Sequence, residues 1–455
     1  IFAFALWDRR ERLLHLVRDR LGEKPLYYAR LGKSFLFASE LKALRAHPLF
    51  EAEIDRDVLA CFLRYAYIPA PYSIYRGVFK LPAGAILTLS PDRPEDSPSI
   101  QSYWSAERAA REGCSNPFDG SAEQALPLLD NLLSDAVKLR MVSDVPLGAF
   151  LSGGVDSSTV VALMQRNSRV PVRTFTIGFE ERGYDEARRA KAVAQHLGTS
   201  HTELYVTPDD ALAVIPHLPG IYDEPFADSS QIPTFLISRL ARGQVTVSLS
   251  GDGGDEVFGG YNRYNWGAGV WRTMGWIPGP ARAALACLVR VPPPHLWDAF
   301  MARLPQRFQQ PQAGDKLHKL ASVLAAGDMR GLYLGFVAKW GDSHSAVLNA
   351  SSLGTALDSG EAWATVSDFT HKMMLTDTVT YLPDDILVKL DRAAMAVGLE
   401  TRVPLLDHRV VEFAWRLPAS MKVHNGQGKW ILRELLKKYL PENLTDRPKS
   451  GFAVP

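Results

Sequence analysis

Cysteine is scarce in this chain, which has three cysteines in 455 residues. Cys61, Cys114 and Cys287 lie far apart, and no pair has the spacing of a metal-binding or redox motif. This usage argues against a disulfide-stapled secreted scaffold and fits a reducing cytosol, so we expect a cytoplasmic protein. The apolar stretches around Cys61 and Cys287 predict that both of these side chains pack in a core.

The chain also has no excess of charge of one sign and no long apolar run. Its 51 Lys and Arg nearly balance its 50 Asp and Glu, so the formal net charge is +1. That charge gives no reason to expect a nucleic acid or an anionic membrane as partner. No apolar run reaches the length of a membrane-spanning helix. A hydrophobic fraction of 46% is typical of a folded globular protein.

The two ends of the chain predict that it is a piece of a longer protein. It begins at Ile1, inside an apolar segment (residues 1–8) that predicts a buried strand, and its first methionine is Met141. The last residue, Pro455, follows an equally abrupt stop. We therefore expect a fragment that is truncated at both ends.

The pattern of the sequence changes after about 100 residues. Residues 1–104 contain short β-like runs separated by turn signals, and the polar segment 105–121 predicts a linker. From residue 122 onward, strands and helices alternate, which predicts a parallel sheet with helices on both faces. From about Trp271 the chain becomes mostly helical.

The most informative segment is residues 152–158, Ser-Gly-Gly-Val-Asp-Ser-Ser, between a predicted strand and a predicted helix. Adjacent glycines let backbone N–H groups close on an anion, and the helix start adds further donors and a positive dipole end. The phosphate loop of most ATPases ends in Gly-Lys-Ser/Thr. Here Asp156 is present instead of that cation, which suits holding Mg²⁺ together with a pyrophosphate group.

A second glycine-rich loop, residues 250–256 (Ser-Gly-Asp-Gly-Gly-Asp-Glu), directly follows another predicted strand. Three acidic residues this close together repel one another unless a cation lies among them. A solvated acidic surface turn is the alternative interpretation. Ligands of parallel sheets bind outside the carboxyl ends of the strands, so we expect both loops to meet at one nucleotide site.

These loops resemble those of the pyrophosphatase-loop ATPases, which split ATP into AMP and pyrophosphate while adenylating a substrate. The strings at residues 222–228, 384–392, 400–407 and 447–452 are similar to the synthetase domain of glutamine-hydrolysing asparagine synthetases. Residues 18–27 and 37–44 resemble the second half of a class II glutaminase domain.

The resemblance implies an α/β fold with two domains. A partial glutaminase domain of the N-terminal nucleophile type, rich in β-strands, would occupy residues 1–104, and a pyrophosphatase-loop ATPase domain residues 122–455. In that family the nucleophile is a cysteine at the mature N-terminus. This chain lacks it and lacks the first glutamine-binding segment, so we expect no glutaminase activity from this polypeptide.

The resemblance also implies ATP as a substrate and Mg²⁺ as a cofactor. Asp156 and Asp255 are the expected metal ligands, Asp252 is expected to assist amidation, and Lys449 to stabilise charge on the α-phosphate and the intermediate. A surface lysine near the chain end is the alternative for Lys449. The residues expected to bind nucleotide or pyrophosphate are Leu151, Ser152, Gly153, Gly154, Asp156, Ser157, Ser158, Ile177, Ser250 and Gly251.

The implied reaction is the ATP-dependent amidation of L-aspartate to L-asparagine through β-aspartyl-AMP, with nitrogen from glutamine or ammonia. The expected partners are these small molecules, and a homodimer is left open. A second hypothesis is the same adenylation chemistry on another carboxylate, as in other amidotransferases, β-lactam synthetases or peptide macrocyclases. A third is a sensor that holds ATP without turnover, against which the acidic loop and Lys449 argue.

Overall fold

The structure is a computed structural model that describes residues 1–90, 92, 97–179, 186–303, 313–324, 326–341 and 343–445. Its strands are β1 (Ala3–Asp8), β2 (Leu13–Arg18), β3 (Tyr27–Leu31), β4 (Ser34–Ala38), β5 (Val78–Lys80), β6 (Ala85–Leu89), β7 (Ser99–Ser102), β8 (Leu147–Phe150), β9 (Arg173–Phe179), β10 (Ser200–Val206), β11 (Val247–Leu249) and β12 (Glu400–Arg402).

Helices cover most of the rest of the described chain. They are α1 (Leu41–Arg45), α2 (Arg56–Tyr65), α3 (Ala106–Ser115), α4 (Ala122–Arg140), α5 (Val155–Asn167), α6 (Ala187–Leu197), α7 (Pro208–Val214), α8 (Leu218–Tyr222), α9 (Gln231–Arg242), α10 (Gly254–Phe258), α11 (Asn262–Met274), α12 (Gly279–Arg290), α13 (Pro294–Met301), α14 (Ala313–Leu324), α15 (Met329–Val337), α16 (Ser343–Ala346), α17 (Ala356–Ser359), α18 (Glu361–Thr365), α19 (Phe369–Val379), α20 (Leu387–Met395), α21 (His408–Arg416), α22 (Ala419–Lys422), α23 (Trp430–Leu436) and α24 (Glu442–Thr445). The predicted helical character beyond Trp271 is therefore confirmed.

The amino-terminal region is built from two antiparallel sheets. One has the strand order β1-β2-β6-β7 and the other the order β4-β3-β5. This agrees with the β-rich pattern of residues 1–104. The strand β1 is at the edge of the first sheet, where it pairs with β2 so that Ala3 lies opposite Arg18.

The prediction of a buried first strand is wrong. The strand β1 forms, but Phe4, Leu6 and Trp7 are 46%, 55% and 44% exposed. The apolar run predicted a strand correctly because β-propensity is local. Burial depends on a second layer packed over the strand, and among the described residues none covers these three side chains.

A five-stranded sheet forms the centre of the carboxy-terminal region, with the order β10-β9-β8-β11-β12. Every neighbouring pair in it is parallel. One apolar core contains Ala149 and Leu249 together with residues of α5 and α6. A second contains Phe175 and Ile177 together with residues of α9. The predicted parallel sheet with helices on both faces is confirmed.

Local capping signals define the start of one helix of this region. The Thr207 hydroxyl accepts a hydrogen bond from the Asp210 amide, and the Asp210 carboxylate accepts one from the Thr207 amide, at 3.2 and 3.0 Å. Pro208 follows as the first residue of α7. This capping box satisfies amides that otherwise lack a partner at the helix start.

Two further expectations need correction. The segment predicted as a linker contains the helix α3, which buries Ala109 and Ala110 against α21. Cys61 is buried as expected, but Cys287 is exposed on α12, where its neighbours Leu285 and Leu288 are exposed as well. Within the described ranges, no helix is both long and apolar enough to cross a membrane.

Candidate active site

The two glycine-rich loops meet at one edge of the parallel sheet. They follow β8 and β11, which are hydrogen-bonded neighbours with Leu249 opposite Ala149. The strand order reverses at this point, because β9 lies on one side of β8 and β11 on the other. Open α/β sheets bind ligands in the crevice at such a switch point.

The second loop touches the first so closely that only glycine fits. A Cβ atom on Gly254 would lie 2.5 Å from the Asp156 carboxyl carbon, and one on Gly251 would lie 2.6 Å from the Ser157 amide nitrogen. Both distances are far below van der Waals contact. These two glycines therefore set the approach of the acidic loop to the start of α5.

The first loop is closed by its own serines. The Ser152 and Ser157 hydroxyl oxygens lie 3.0 Å apart, and the Ser152 hydroxyl accepts from the Gly154 amide at 3.2 Å. Gly154 caps α5, so Asp156 lies in the first turn, where the helix dipole favours a negative charge. The loop is thus a short, ordered turn at a helix start.

A cavity of about 1280 Å³ opens over both loops. Most of the sequence-predicted site residues line it. They are Leu151, Ser152, Gly153, Gly154, Asp156, Ser157, Ser250, Gly251, Asp252 and Asp255.

Two predicted residues are placed elsewhere. Ser158 is buried inside α5 and Ile177 is buried in the core beside α9, so neither is among the residues that line the cavity. The neighbour of Ile177, Thr176, does line it. Lys449 lies outside the described residues.

A lysine lies between the two predicted metal ligands. The Lys429 ammonium contacts the Asp156 carboxylate and lies 2.8 Å from Asp255 Oδ1. Its side chain is only 7% exposed. Burial opposes the charge of Lys429, but the two carboxylates outweigh that effect and raise its pKa. The acidic loop therefore has the cation that its charges require.

The sequence analysis missed Lys429. It follows the turn Gly426-Gln427-Gly428, has a left-handed backbone with φ of +56°, and directly precedes α23. It is 273 residues from Asp156, so no local pattern connects the two. The one available signal was a lone lysine in a glycine-rich turn before a helix.

The carboxylates also suit a divalent metal. Asp156 and Asp255 present hard oxygen ligands to one point, as Mg²⁺ prefers, and a lysine ammonium already lies there. Within the described ranges, no group of three or more His, Cys, Asp or Glu side chains converges on one point. Asp156 and Asp255 would hold such a metal, which would supply positive charge to this edge of the cavity.

Asp252 lies on the cavity wall and is held by its own loop. The Ser250 hydroxyl donates to Asp252 Oδ2 at 2.5 Å, and the Ser250 amide donates to the Arg402 carbonyl at 2.9 Å. The second contact ties the loop to β12. The neighbouring Glu256 is buried, and burial, followed by the charge of Asp255, raises its pKa to about 7.

A second buried cation lines the same cavity. The Lys389 ammonium of α20 donates to Asp228 Oδ2 at 3.1 Å and to the Ser230 hydroxyl at 2.9 Å. Asp228 Oδ1 in turn accepts from the Ser230 amide at 2.6 Å. Burial opposes the charge of Asp228, but Lys389 and these hydrogen bonds hold its pKa well below the usual range. The strings at residues 222–228 and 384–392 thus meet here.

Comparison with known proteins agrees with this arrangement. A family model described as asparagine synthase matches residues 128–455, and one described as glutamine amidotransferase domain matches residues 1–104. A putative asparagine synthetase [glutamine-hydrolyzing] of Mycobacterium tuberculosis (strain H37Rv) is 34% identical over all of this chain and 67% of the relative.

Other relatives extend the comparison. Asparagine synthetase [glutamine-hydrolyzing] 1 of Bacillus subtilis (strain 168) is 30% identical over all of this chain and 68% of its own length. Amidase chyE of Penicillium rubens is 25% identical over all of this chain and 69% of its own length. Because the first family model spans both glycine-rich loops and most of the sequence, the chain belongs to the asparagine synthase family.

Proposed function

We propose that this protein catalyses the ATP-dependent amidation of L-aspartate to L-asparagine through β-aspartyl-AMP, with release of AMP and pyrophosphate. The nitrogen would come from glutamine in the intact enzyme, or from added ammonia. The observation that carries the proposal is the convergence of two glycine-rich loops, one with Asp156 and one with Asp255, on the Lys429 ammonium.

The chemistry requires such a site. A carboxylate is a poor acceptor for ammonia, because its charge repels the nucleophile and oxide is a very poor leaving group. Attack of the carboxylate on the α-phosphorus of ATP breaks the bond to pyrophosphate and forms an acyl-adenylate. Ammonia then attacks the acyl carbon, and AMP leaves with the electron pair of the broken bond. Preorganised cations stabilise the charge that develops on the phosphate oxygens.

The residues of the cavity divide into roles under this proposal. The first loop would bind pyrophosphate through its backbone amides and hydroxyls, and Leu151, Ser250 and Gly251 would contact the AMP portion. Lys429 would neutralise phosphate charge, and Mg²⁺ held by Asp156 and Asp255 would supply further charge stabilisation. Asp252 would orient the amidation step. Lys449 remains a proposed cation for the α-phosphate.

A different acceptor is the second candidate. One relative over the whole chain is named amidase chyE rather than asparagine synthetase. The two loops would bind the nucleotide and would serve any carboxylate. The acceptor is therefore decided by the rest of the cavity wall.

The test is product analysis with the purified protein, ATP, Mg²⁺, ammonium and L-aspartate. We expect AMP, pyrophosphate and asparagine in equal amounts, with formation of all three dependent on aspartate. ADP and inorganic phosphate as products would contradict cleavage between the α and β phosphates. Pyrophosphate release that occurs with another carboxylate but not with aspartate would favour the second candidate.

A further inference from the structure

Lys389 lines the cavity and forms its ion pair with Asp228 rather than with a carboxylate of either glycine-rich loop. It retains 11% side-chain exposure, and two donors of its ammonium group are used by Asp228 and Ser230. An ammonium group has three donors. A lysine held in this way is a fixed positive charge at the edge of the cavity.

Lys389 keeps its positive charge in this wall despite its burial. Burial opposes the charge of Lys389, but Asp228 and the other nearby carboxylates outweigh it and raise its pKa, so the lysine is charged. Burial and the charge of Asp228 raise the pKa of Asp385 well above its usual range.

The position of Lys389 separates it from Lys429. Lys429 lies between Asp156 and Asp255 on the phosphate side of the cavity, whereas the charge of Asp252 is among those that act on Lys389. Lys429 thus lies at the phosphate loops, and Lys389 lies near the residue expected to assist amidation. Arg188, Arg189 and Arg433 also line the cavity. An acceptor with two carboxylates presents one of them to ATP. To select such an acceptor, the protein must bind the other carboxylate.

We propose that Lys389, positioned by Asp228 and Ser230, binds the carboxylate of the acceptor that is not adenylated, and so selects an amino dicarboxylic acid. This inference rests on the proposed function and goes further, since it assigns acceptor selectivity to one residue. A lost hydrogen bond to a charged group corresponds to about 10–100-fold in efficiency.

The experiment compares L-aspartate with β-alanine, which is aspartate without its α-carboxylate. For each acceptor, kcat/KM for pyrophosphate release is measured in the protein and in Lys389→Met, with ammonium as nitrogen donor. We expect Lys389→Met to lower the efficiency with aspartate about 10–100-fold and to leave that with β-alanine unchanged. The KM for ATP should not change in either variant.

Two further variants keep the test decisive. Ser230→Ala removes one partner of Lys389 without removing a charge, so it should lower the aspartate-to-β-alanine ratio in the same direction by a smaller factor. Lys422→Met replaces another buried lysine, which does not line the cavity, and should leave the ratio unchanged.

The outcomes are distinguishable. A loss of kcat/KM by the same factor with both acceptors in Lys389→Met would show that Lys389 is only structural. An aspartate-to-β-alanine ratio of kcat/KM that is unchanged in both Lys389→Met and Ser230→Ala would show the same. Failure of the unaltered protein to release pyrophosphate with aspartate would overturn the proposed function, and this inference with it. A lower ratio in Ser230→Ala supports the inference even where Lys389→Met does not fold.

Discussion

The Lys80 ammonium lies 2.9 Å from Glu224 Oε1, and these two side chains are only 5% and 6% exposed. The pair joins β5 of the amino-terminal region to the segment that leads to Asp228. The backbone amide of Ile74 also donates to Glu224, at 3.1 Å. The amino-terminal sheets therefore hold one end of a segment whose other end lines the cavity.

We predict that breaking this pair destabilises the protein. Lys80→Met leaves Glu224 buried without its cation, which typically costs about 3–5 kcal/mol. The double variant Lys80→Met with Glu224→Gln should be less destabilised than Lys80→Met, because no unpaired charge remains. Urea unfolding measures both.

The matched control for that pair is Arg76→Gln. Arg76 pairs with Glu53 in the same region, but their side chains are 60% and 56% exposed, so its loss should change stability little. Equal destabilisation by Lys80→Met and Arg76→Gln would show that burial of the Lys80–Glu224 pair contributes nothing.

Asp156→Asn and Asp255→Asn should each abolish Mg²⁺-dependent pyrophosphate release. Each change removes a charged oxygen ligand and one of the two carboxylate contacts of Lys429, while the amide keeps the shape of the side chain. The exposed Asp144→Asn, outside the cavity, should leave turnover unchanged. Near-normal turnover in both cavity variants would place the metal elsewhere.

Lys449→Ala should lower kcat about 10²–10³-fold if this lysine stabilises charge that develops in the transition state. The KM for aspartate should change far less, because uniform binding is not what is lost. Steady-state kinetics with Lys437→Ala, a lysine with a 40% exposed side chain, provides the comparison. A kcat equal to that of the unaltered protein would make Lys449 an ordinary surface residue.

The stability contribution of Lys422 should depend on pH. Its ammonium nitrogen lies 3.2 Å from His371 Nε2 and 4.6 Å from the Trp415 ring centre, and burial lowers its pKa to about 7. Burial also lowers the pKa of His371 to about 2, so the imidazole is neutral. A neutral lysine amine can accept the hydrogen bond that Nε2–H then donates.

The sign follows from the two pKa values of the lysine. Between pH 7 and about 10, the unfolded chain binds a proton at Lys422 that the folded protein does not, so stability rises with pH by up to about 1.4 kcal/mol per unit. Lys422→Met removes this pH-dependent contribution to the free energy of unfolding. Its stability relative to the unaltered protein should therefore fall as pH rises from 7 to 9.

Urea unfolding at pH 7, 8 and 9 measures this difference. The exposed Lys33→Met serves as control, and its stability relative to the unaltered protein should be the same at each pH. A difference between Lys422→Met and the unaltered protein that does not vary with pH would mean that Lys422 is charged in the folded state.

The sequence by itself determined the local features of this protein. The strand-loop-helix segment around Asp156 and the strand that precedes the second glycine-rich loop formed where the pattern predicted them. The parallel sheet followed from the alternation of strands and helices. These features depend on residues close together in the chain, and strand direction then brings both loops to one edge of the sheet.

Tertiary structure alone decided which distant side chains complete the site. Lys429 reaches Asp156 across 273 residues, and Lys389 reaches Asp228 across 161. It also left β1 and Cys287 exposed, where apolar neighbours had predicted burial. A sequence pattern records the period of a helix or strand, but the partner of a buried charge and the layer over an apolar strand depend on how separate elements pack.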